Sequence, residues 1–577
     1  MKEWNTISDI LRQVESSDNP HSLNEPKGDE WVGLSSLDAL RKIRYLSLAI
    51  SQLGIKKGDC IGIMSSPCIE WTLVNIALLV SGAVVVPLFP NISEENFLFE
   101  VKETQMKVLF VRHLQPIPIL DTHADLFDKI YEMGALDEFY KTGEALDQKQ
   151  PQRFQEMLKE IKPEDLSTIV YTSATTGMPK GVLLTQKNVV GHIFDIPVKV
   201  TPNSKYLNII PLAHIFGYTL NILIFAWGGS IYYAADPKNF VADSKQLHPT
   251  ITAVVPRLLE KLYLGFLDKL SSAGGLKGKI GLTALKLAYT EKPSFLYRAL
   301  YPLWDKLIYS KIRAALGDSY EMIISGGAPL SPRLNYFYQN IGLPVREGWG
   351  LTEACPITVN LLSPQGNKVG TVGLPFDGWK IRIGEEGEIL VKGSGVMLGY
   401  HNNPELTAKA IDKEGWLHTG DKGTIDEDGY LTIIGRLKEL YKTSTGEYVA
   451  PVPIEQMICR EPYIEMAMVI AEGRKFASAL LFPNVDVLKK LKVENNAAAL
   501  SDEEFLNTPF MQQKVADHIE NINEHLNHWE QLHAFRFISE APSIEAGEMT
   551  PSMKLRREVV RKKYEHLIDA MYAEEKV

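Results

Sequence analysis

The run WTLVNIALLVSGAVVVPLF, residues 71–89, decides the fold class: an apolar helical stretch stops at Ser81 and Gly82 and turns directly into a β-branched strand. Asn75, Ser81, Gly82 and Pro87 interrupt it and Pro90 closes it, and a membrane span needs about 20 predominantly apolar residues. It reads as buried helix, turn and buried strand. The same alternation lies on both sides, LDALRKIRYLSLAISQLG (37–54) preceding CIGIMS (60–65) and FLFEVKETQ (97–105) preceding KVLFVR (107–112). It recurs where LNIIPL (207–212) leads through an apolar stretch to SIYYAA (230–235), and where ITAVVP (251–256) leads into RLLEKLYLGFLDKL (257–270). Helix-period segments alternating with short β-branched runs mark βαβ units, in which helices cover a parallel sheet. Residues 30 to 360 are therefore expected to form large α/β layers.

Past residue 365 the texture changes to short strands with Glu-Gly and Asp-Gly turns, in GTVGLPFDGWKIRIGEEGEILVKG (370–393) and GTIDEDGYLTIIGR (423–436). A small antiparallel β unit is predicted there. Charged LKELYKTSTGEY (437–448) then leads to a helix in EQMICREPY (455–463), a strand in MAMVIAE (466–472) and a restart in SALLFPNVDVLKKL (478–491). The expected organisation is a large N-terminal domain, 1–435, of layered parallel α/β subdomains plus the β unit, and a smaller, mobile α+β domain, 436–577. SSAGGLKGKIG (271–281) is expected to be a mobile, glycine-rich surface loop.

At 577 residues the chain exceeds one ordinary domain of roughly 100–200 residues, and 45% hydrophobic residues supply large cores. With 61 Lys+Arg against 71 Asp+Glu the net charge is −10, which argues against a protein that coats nucleic acid. Cys60, Cys68, Cys355 and Cys459 have neither disulfide nor zinc spacing. The N-terminus lacks a secretory signal, and a reduced, cytoplasmic protein acting on small molecules is expected.

In STIVYTSATTGMPKGVLLT (167–185), a strand pattern runs into a loop carrying Thr172, Ser173, Thr175, Thr176, Gly177 and Lys180. Backbone N–H groups, hydroxyls and one ammonium suit a phosphate chain, although GxxxxGK[ST] is absent; an ordinary polar turn is the competing explanation. YTSATTGMPKGV resembles the signature loop of the adenylate-forming superfamily, with Ala174 where that family has Gly. Further similarities follow in the family's order: PLAHIFGY (211–218), SGGAPLS (325–331), EGWGLTEACP (347–356), TGD (419–421), GRLKELYKTSTGEYVAPVPIE (435–455) and MTPSMKLRR (549–557). KELYKTSTGEYVAP is most similar to the long-chain acyl-CoA synthetase branch, with Thr445 for its Gly and Glu447 for its Lys.

The resemblance implies ATP-dependent activation of a fatty acid to an acyl-adenylate, then transfer to CoA, with Mg²⁺ accompanying ATP. It places His214 at the carboxylate pocket, Gly327 and Ala328 beside the adenine, and Glu347, Gly348, Trp349, Gly350 and Thr352 in a second adenine-side motif. Trp349 stands where the family usually has Tyr. Glu353 and Thr172 are the implied magnesium ligands, and a helix-capping acid is the bland alternative for Glu353. Asp421 and Arg436 suit a ribose, with a plain salt bridge competing. Lys438 matches the family's hinge, Lys442, Ser444 and Gly446 its CoA-side loop, and Lys554 its adenylation lysine. Lys554 would offset the repulsion between carboxylate and phosphate, which at about 4 Å costs about 4 kcal/mol at an effective dielectric of 20. The basic residues Arg556, Arg557, Arg561, Lys562 and Lys563 read as a solvated face, with anionic lipid as a weaker alternative, and Leu555, Val559, Tyr564, Leu567 and Met571 as the face that a terminal helix packs on its own domain. Fatty acid, ATP and CoA are the expected partners, nucleic acid is not, and peripheral membrane contact and oligomeric state stay open. Alternatives are a ligase passing the acyl group to a carrier protein and a nucleotide-binding homologue without catalysis.

Overall fold

The computed structural model describes residues 4–172, 178–361, 366–444, 447–544, 546–550 and 554–573. Ser173, Thr175, Thr176, Gly177 and Gly446, all candidate site residues, lie outside them. The decisive stretch forms a helix, Ile69–Val80, then a strand, Val84–Leu88. That strand sits inside a seven-stranded sheet, between Cys60–Met64, which it meets in parallel, and Leu166–Tyr171. A second, nine-stranded sheet carries Lys205–Asn208, Ile251–Val254 and Met322–Ser325 in parallel at its centre.

One apolar core joins the two sheets through the helices Ile69–Val80 and Ile215–Ala226, both buried almost all round. This placement explains the polar interruptions. Thr72 and Tyr233 share a hydrogen bond of 2.6 Å, the Asn221 amide donates to Thr72 at 2.9 Å, and Tyr218 donates to Asn75 at 3.2 Å. A buried polar side chain costs free energy unless it is paired, so these residues fix the helices' register between the sheets. Among the described residues no helix is long and apolar enough to cross a membrane.

The strands after residue 365 form the expected antiparallel unit, ordered Lys380–Ile383, Glu388–Lys392, Leu417–Ile425 and Leu431–Arg436. Beyond it, Ile464–Ile470, Ala477–Pro483 and Leu532–Phe537 make a three-stranded sheet with its own core.

Three local expectations are corrected, the first being that Arg557 leaves the solvated face and pairs through both terminal guanidinium nitrogens with Glu455 at 2.6 Å, where both side chains are largely covered. The stretch 271–281 is no loop: the helix Pro256–Ser272 turns through Gly274, at φ +58°, into a second helix, Gly275–Ala288. A Cβ on Gly278 would lie 2.8 Å from the Leu270 carbonyl oxygen, and one on Gly281 2.5 Å from Leu270 Cδ2. These glycines let two helices approach closely, and their abundance records packing rather than freedom. At the C-terminus the helix begins at Arg557, breaks at Tyr564 and resumes as Glu565–Ala573. Its buried stripe is Val560, Tyr564, Ile568 and Met571 instead of one through Leu555, Val559 and Leu567.

Candidate active site

The carboxyl ends of the parallel strands in the nine-stranded sheet lie where an open α/β sheet usually holds its ligand. Ser325 pairs in register with Glu347, so SGGAPLS and EGWGLTEACP leave the sheet side by side. Gly326 donates its N–H to Val254 O at 3.2 Å and lies under the Phe216 ring, 3.4 Å from where a Cβ would stand. Gly327 has φ +79° and open space where a side chain would be, a backbone state that favours glycine; with exposed Ala328 it forms one wall. Gly348 and Gly350 serve the neighbouring strand instead. A Cβ on them would approach Thr358 O to 2.9 Å and Cys355 O to 2.4 Å.

Glu347 is buried, and burial raises its carboxyl to about 7 despite the amide of Asn335, which donates at 2.9 Å, and N–H groups of Leu330 and Gly370. Trp349 does more than offer a face. Its indole N–H donates to Asp421 Oδ2 at 2.9 Å, while Arg436 Nε meets Asp421 Oδ1 at 3.0 Å. Asp421 and Arg436 stand opposite one another on adjacent strands, so the salt bridge anticipated as a bland alternative does form. Burial raises the Asp421 carboxyl, with Arg436 and Trp349 opposing; burial works against the Arg436 charge, but Asp421, Glu353 and Glu439 raise its pKa overall.

Glu353, just past half-buried Thr352, accepts a hydrogen bond from Tyr400 at 2.8 Å. Lys180 stands 5.2 Å from the centre of the same Tyr400 ring, close enough for a cation–π contact. Tyr400 went unnoticed in sequence, because Gly399–Tyr400 is only a two-residue strand laid against Gly181–Thr185. Thr172 closes the hairpin: its N–H donates to Lys180 O at 3.0 Å, and its hydroxyl accepts from Lys180 N–H at 3.3 Å. Among the described residues no group of three or more His, Cys, Asp or Glu could hold a metal.

Lys554 comes from the far end of the chain. Its N–H donates to Thr550 Oγ1 at 3.1 Å and its carbonyl accepts from Thr550 N–H at 2.8 Å, just ahead of the last helices. The side chain keeps solvent access, but enclosure by protein and nearby Arg436 lower its pKa, against Glu439 and Asp421. His214 feels Lys554 in turn: burial first, then that ammonium, push its ring down to about 4. His214 Nδ1 accepts from Phe216 N–H at 3.2 Å, so the proton of the neutral ring sits on Nε2.

The C-terminal segment is held against the body from the side. Arg257 donates to Glu465 O at 2.6 Å and pairs with its carboxylate at 2.6 Å, Lys490 reaches Asp268 at 3.1 Å, and Gln456 donates to Pro329 O. Lys438 lies exposed in the 3₁₀ turn Leu437–Glu439 that connects the two parts. Lys442 and Ser444 are exposed beyond it and stand apart from this cluster; Lys442 lies 5.8 Å from the Tyr448 ring centre and Ser444 donates its N–H to Arg474 O at 2.9 Å.

Residues 15–401 match the AMP-binding enzyme family and residues 439–576 the AMP-binding enzyme C-terminal domain. A long-chain-fatty-acid–CoA ligase of Mycobacterium bovis is 32% identical, with 94% of this chain and 93% of that protein covered. Long-chain-fatty-acid–CoA ligase 5 of Rattus norvegicus is 30% identical over 97% of this chain and 87% of its own. The fold resembles the adenylation domain of a carboxylate reductase from Mycobacterium chelonae, at TM-score 0.76 and 20% identity, covering 98% of this chain and 91% of that one. It also resembles the AMP complex of an O-succinylbenzoate coenzyme A synthetase from Bacillus subtilis, at TM-score 0.68 and 19% identity, covering 96% and 97%.

Proposed function

The chain belongs to the AMP-binding enzyme family, and from that premise we propose an ATP-dependent fatty acid:CoA ligase working in two half-reactions at the cleft around Asp421, Arg436 and Lys554. The observation that carries this reading is that Lys554, although it comes from the last 24 residues of the chain, lies near enough to His214, Arg436 and Asp421 for their charges to act on one another.

In the first half-reaction a carboxylate oxygen bonds to the α-phosphorus of ATP while the bond to pyrophosphate breaks. The adenine lies between the Gly327–Ala328 wall and Trp349, Asp421 accepts from the ribose hydroxyls, and Thr172 and Lys180 face the phosphates at the hydroxyl-rich loop. His214, neutral with its proton on Nε2, donates to the fatty acid carboxylate without adding a charge that Lys554 would repel. Lys554 offsets the negative charge that builds between carboxylate and phosphate as they approach.

The donor set fits magnesium. Bound with nucleotide phosphates, Mg²⁺ typically takes only one or two carboxylates, and Glu353 keeps a second oxygen free of Tyr400. Glu353 would hold the ion with Thr172 close by, and the ion would neutralise phosphate charge. In the second half-reaction the C-terminal domain, residues 436–577, turns about Lys438; the CoA sulfur then bonds to the acyl carbon and the carbon–oxygen bond to AMP breaks. Lys442, Ser444 and Gly446 lie on the side that meets CoA. The proposed setting is cytoplasmic.

The test is a panel of carboxylic acids from acetate to palmitate, with aromatic acids, assayed for ATP- and CoA-dependent thioester. Long-chain acids should lead. Each buried methylene contributes about 0.8 kcal/mol, so four more carbons change binding by roughly 3 kcal/mol where the pocket admits them. No thioester from any acid overturns the proposal, and transfer only to a carrier-protein thiol replaces CoA as acceptor.

Two further outcomes follow from the geometry. Tyr400→Phe keeps the ring under Lys180 and removes the hydroxyl from Glu353. A hydrogen bond to a charged group is worth about 1.5–3 kcal/mol, so KM for Mg-ATP in pyrophosphate exchange should rise about tenfold or more, with KM for the acid unmoved. Equal changes in both would remove Glu353 from the nucleotide side.

Arg257→Ala should loosen the C-terminal domain from the body. A part-exposed ion pair contributes up to about 1 kcal/mol, so adenylation should fall severalfold while thioester formation from supplied acyl-AMP holds. Burial opposes the Glu465 charge, but Arg257 and Lys261 together hold its carboxyl below the ordinary value. The pair therefore contributes above the ordinary carboxyl range and is lost as pH falls through the depressed value. Limited proteolysis near residues 437–440 should accelerate there in the wild type and not in the variant.

A further inference from the structure

The helix Phe295–Trp304 runs through a wide π-helical turn, Asp305–Tyr309, into Ser310–Ala315. Its inner side is ordinary: Tyr297, Tyr309 and Ile312 are buried in the core beneath, and the Tyr309 hydroxyl donates to Ala284 O of the helix Gly275–Ala288 at 2.8 Å. Its outer side is inverted. Phe295 is 88% exposed, Leu303 48% and Leu307 37%; with exposed Ala299 they recur every four residues and make one solvent-facing stripe, and Leu300, 37% exposed, adds to it. Exposed Arg298 and Lys306 run alongside at a spacing of eight. On the adjoining helix Leu276 is 76% exposed, next to Lys277 and Lys279.

Single exposed hydrophobics need no explanation, but an apolar row along one helix face does. The charge around it identifies the partner. Between residues 276 and 311 stand Lys277, Lys279, Lys286, Lys292, Arg298, Lys306 and Lys311, against only Glu291 and Asp305. Asp305 is held by Arg313 at 2.6 Å, and none of the seven cations forms an ion pair among the described residues. This excess of cations along the segment belongs to a chain of net charge −10.

We propose that this face, Phe295 to Lys311, docks on the surface of an anionic phospholipid bilayer, with Phe295, Leu303 and Leu307 entering the headgroup–acyl boundary and Arg298 and Lys306 meeting lipid phosphates. A helix with an apolar face flanked by cations lies in such an interface, where buried apolar area and attraction to anionic lipid add. A second copy of this chain fits less well, since a two-fold contact would set basic patch against basic patch. Nucleic acid would engage the cations and leave a row of Phe and Leu against water or phosphate. The benefit of docking rests on the fatty acid reading, since long-chain acids partition into bilayers; the docking itself does not.

The test is flotation of the full-length protein with vesicles of phosphatidylcholine alone, or with about 40% phosphatidylglycerol, at about 0.05 M and about 0.5 M salt. Binding is expected on the anionic vesicles and weakened by salt. Phe295→Ser with Leu303→Ser should reduce it about tenfold or more, and Arg298→Glu with Lys306→Glu likewise. All four side chains are exposed, and both variants should keep wild-type pyrophosphate exchange with a soluble medium-chain acid. Lys562→Glu with Lys563→Glu, on the C-terminal helix, should leave vesicle binding unchanged. Wild type that stays with the lipid-free fraction, equal binding by wild type and both docking variants, loss only in the C-terminal variant, or a dimer that Phe295→Ser dissociates would each overturn the proposal. Vesicle binding without any exchange activity would count against the ligase reading and leave the docking face standing.

Discussion

Lys554→Ala is expected to abolish acyl-adenylate formation while leaving thioester formation from supplied acyl-AMP largely intact. Before the reaction, carboxylate and α-phosphate are separate anions that both repel one another and need a common cation. On the proposed reading Lys554 supplies one where the charge develops, and removing a donor of this kind costs about 100- to 1,000-fold. In the second half-reaction that repulsion is gone, because acid and phosphate are already joined, so the loss should be confined to pyrophosphate exchange. The pH profile gives an independent check. Enclosure by protein and Arg436 lower the Lys554 pKa, so its proton leaves below the ordinary lysine range. The charged form does the work, and adenylation should therefore decline as pH rises through that lowered value. The Lys554→Ala profile should lack this alkaline limb. Equal damage to both half-reactions would remove the assigned role.

Lys438→Pro should show the reverse ranking. Residue 438 sits in a 3₁₀ turn, where φ near −50° to −70° agrees with the −65° that proline imposes, so the present arrangement should survive. Rotation of the C-terminal domain requires new backbone angles at the connection, and proline refuses a new φ. Adenylation should stay within about threefold, whereas CoA-dependent consumption of acyl-AMP should fall about 100-fold or more in single turnover, as expected when a hinge gates one step. Adenylation suffering more than transfer would move the pivot elsewhere.

The α/β layers could be read from sequence because buried parallel strands and their covering helices alternate in period over hundreds of residues, as at 60–112. Local periodicity fails where one residue type has two physical uses. Gly278 and Gly281 look like loop formers in sequence and are contact points between two helices in the fold. The last helices were misregistered because Val559 and Val560 are equally apolar, and only the break at Tyr564 decides which is buried. At the candidate site, ordered motifs point to Trp349, Glu353, Asp421 and Arg436 as residues but not to the bonds between them. Trp349 and Asp421 are 72 positions apart, and nothing local announces that an indole will hold the carboxylate. Tyr400 was missed for a related reason: its role depends on a two-residue strand laid against the hairpin that carries Lys180. Gly348 and Gly350, grouped with the nucleotide by motif, owe their size to carbonyls of the next strand.

Arg436 grips Asp421, and the connecting turn starts at the very next residue. On the proposed reading, the pair would tie the start of the C-terminal part to the residues that hold the sugar, and rotation would be taken up in the turn after Arg436. Between the two chemical events the intermediate would then need no handing over: it would stay fastened by its nucleotide end while the machinery around its acyl end is exchanged. A reactive mixed anhydride formed here would be spent on the thiol before it could escape to water.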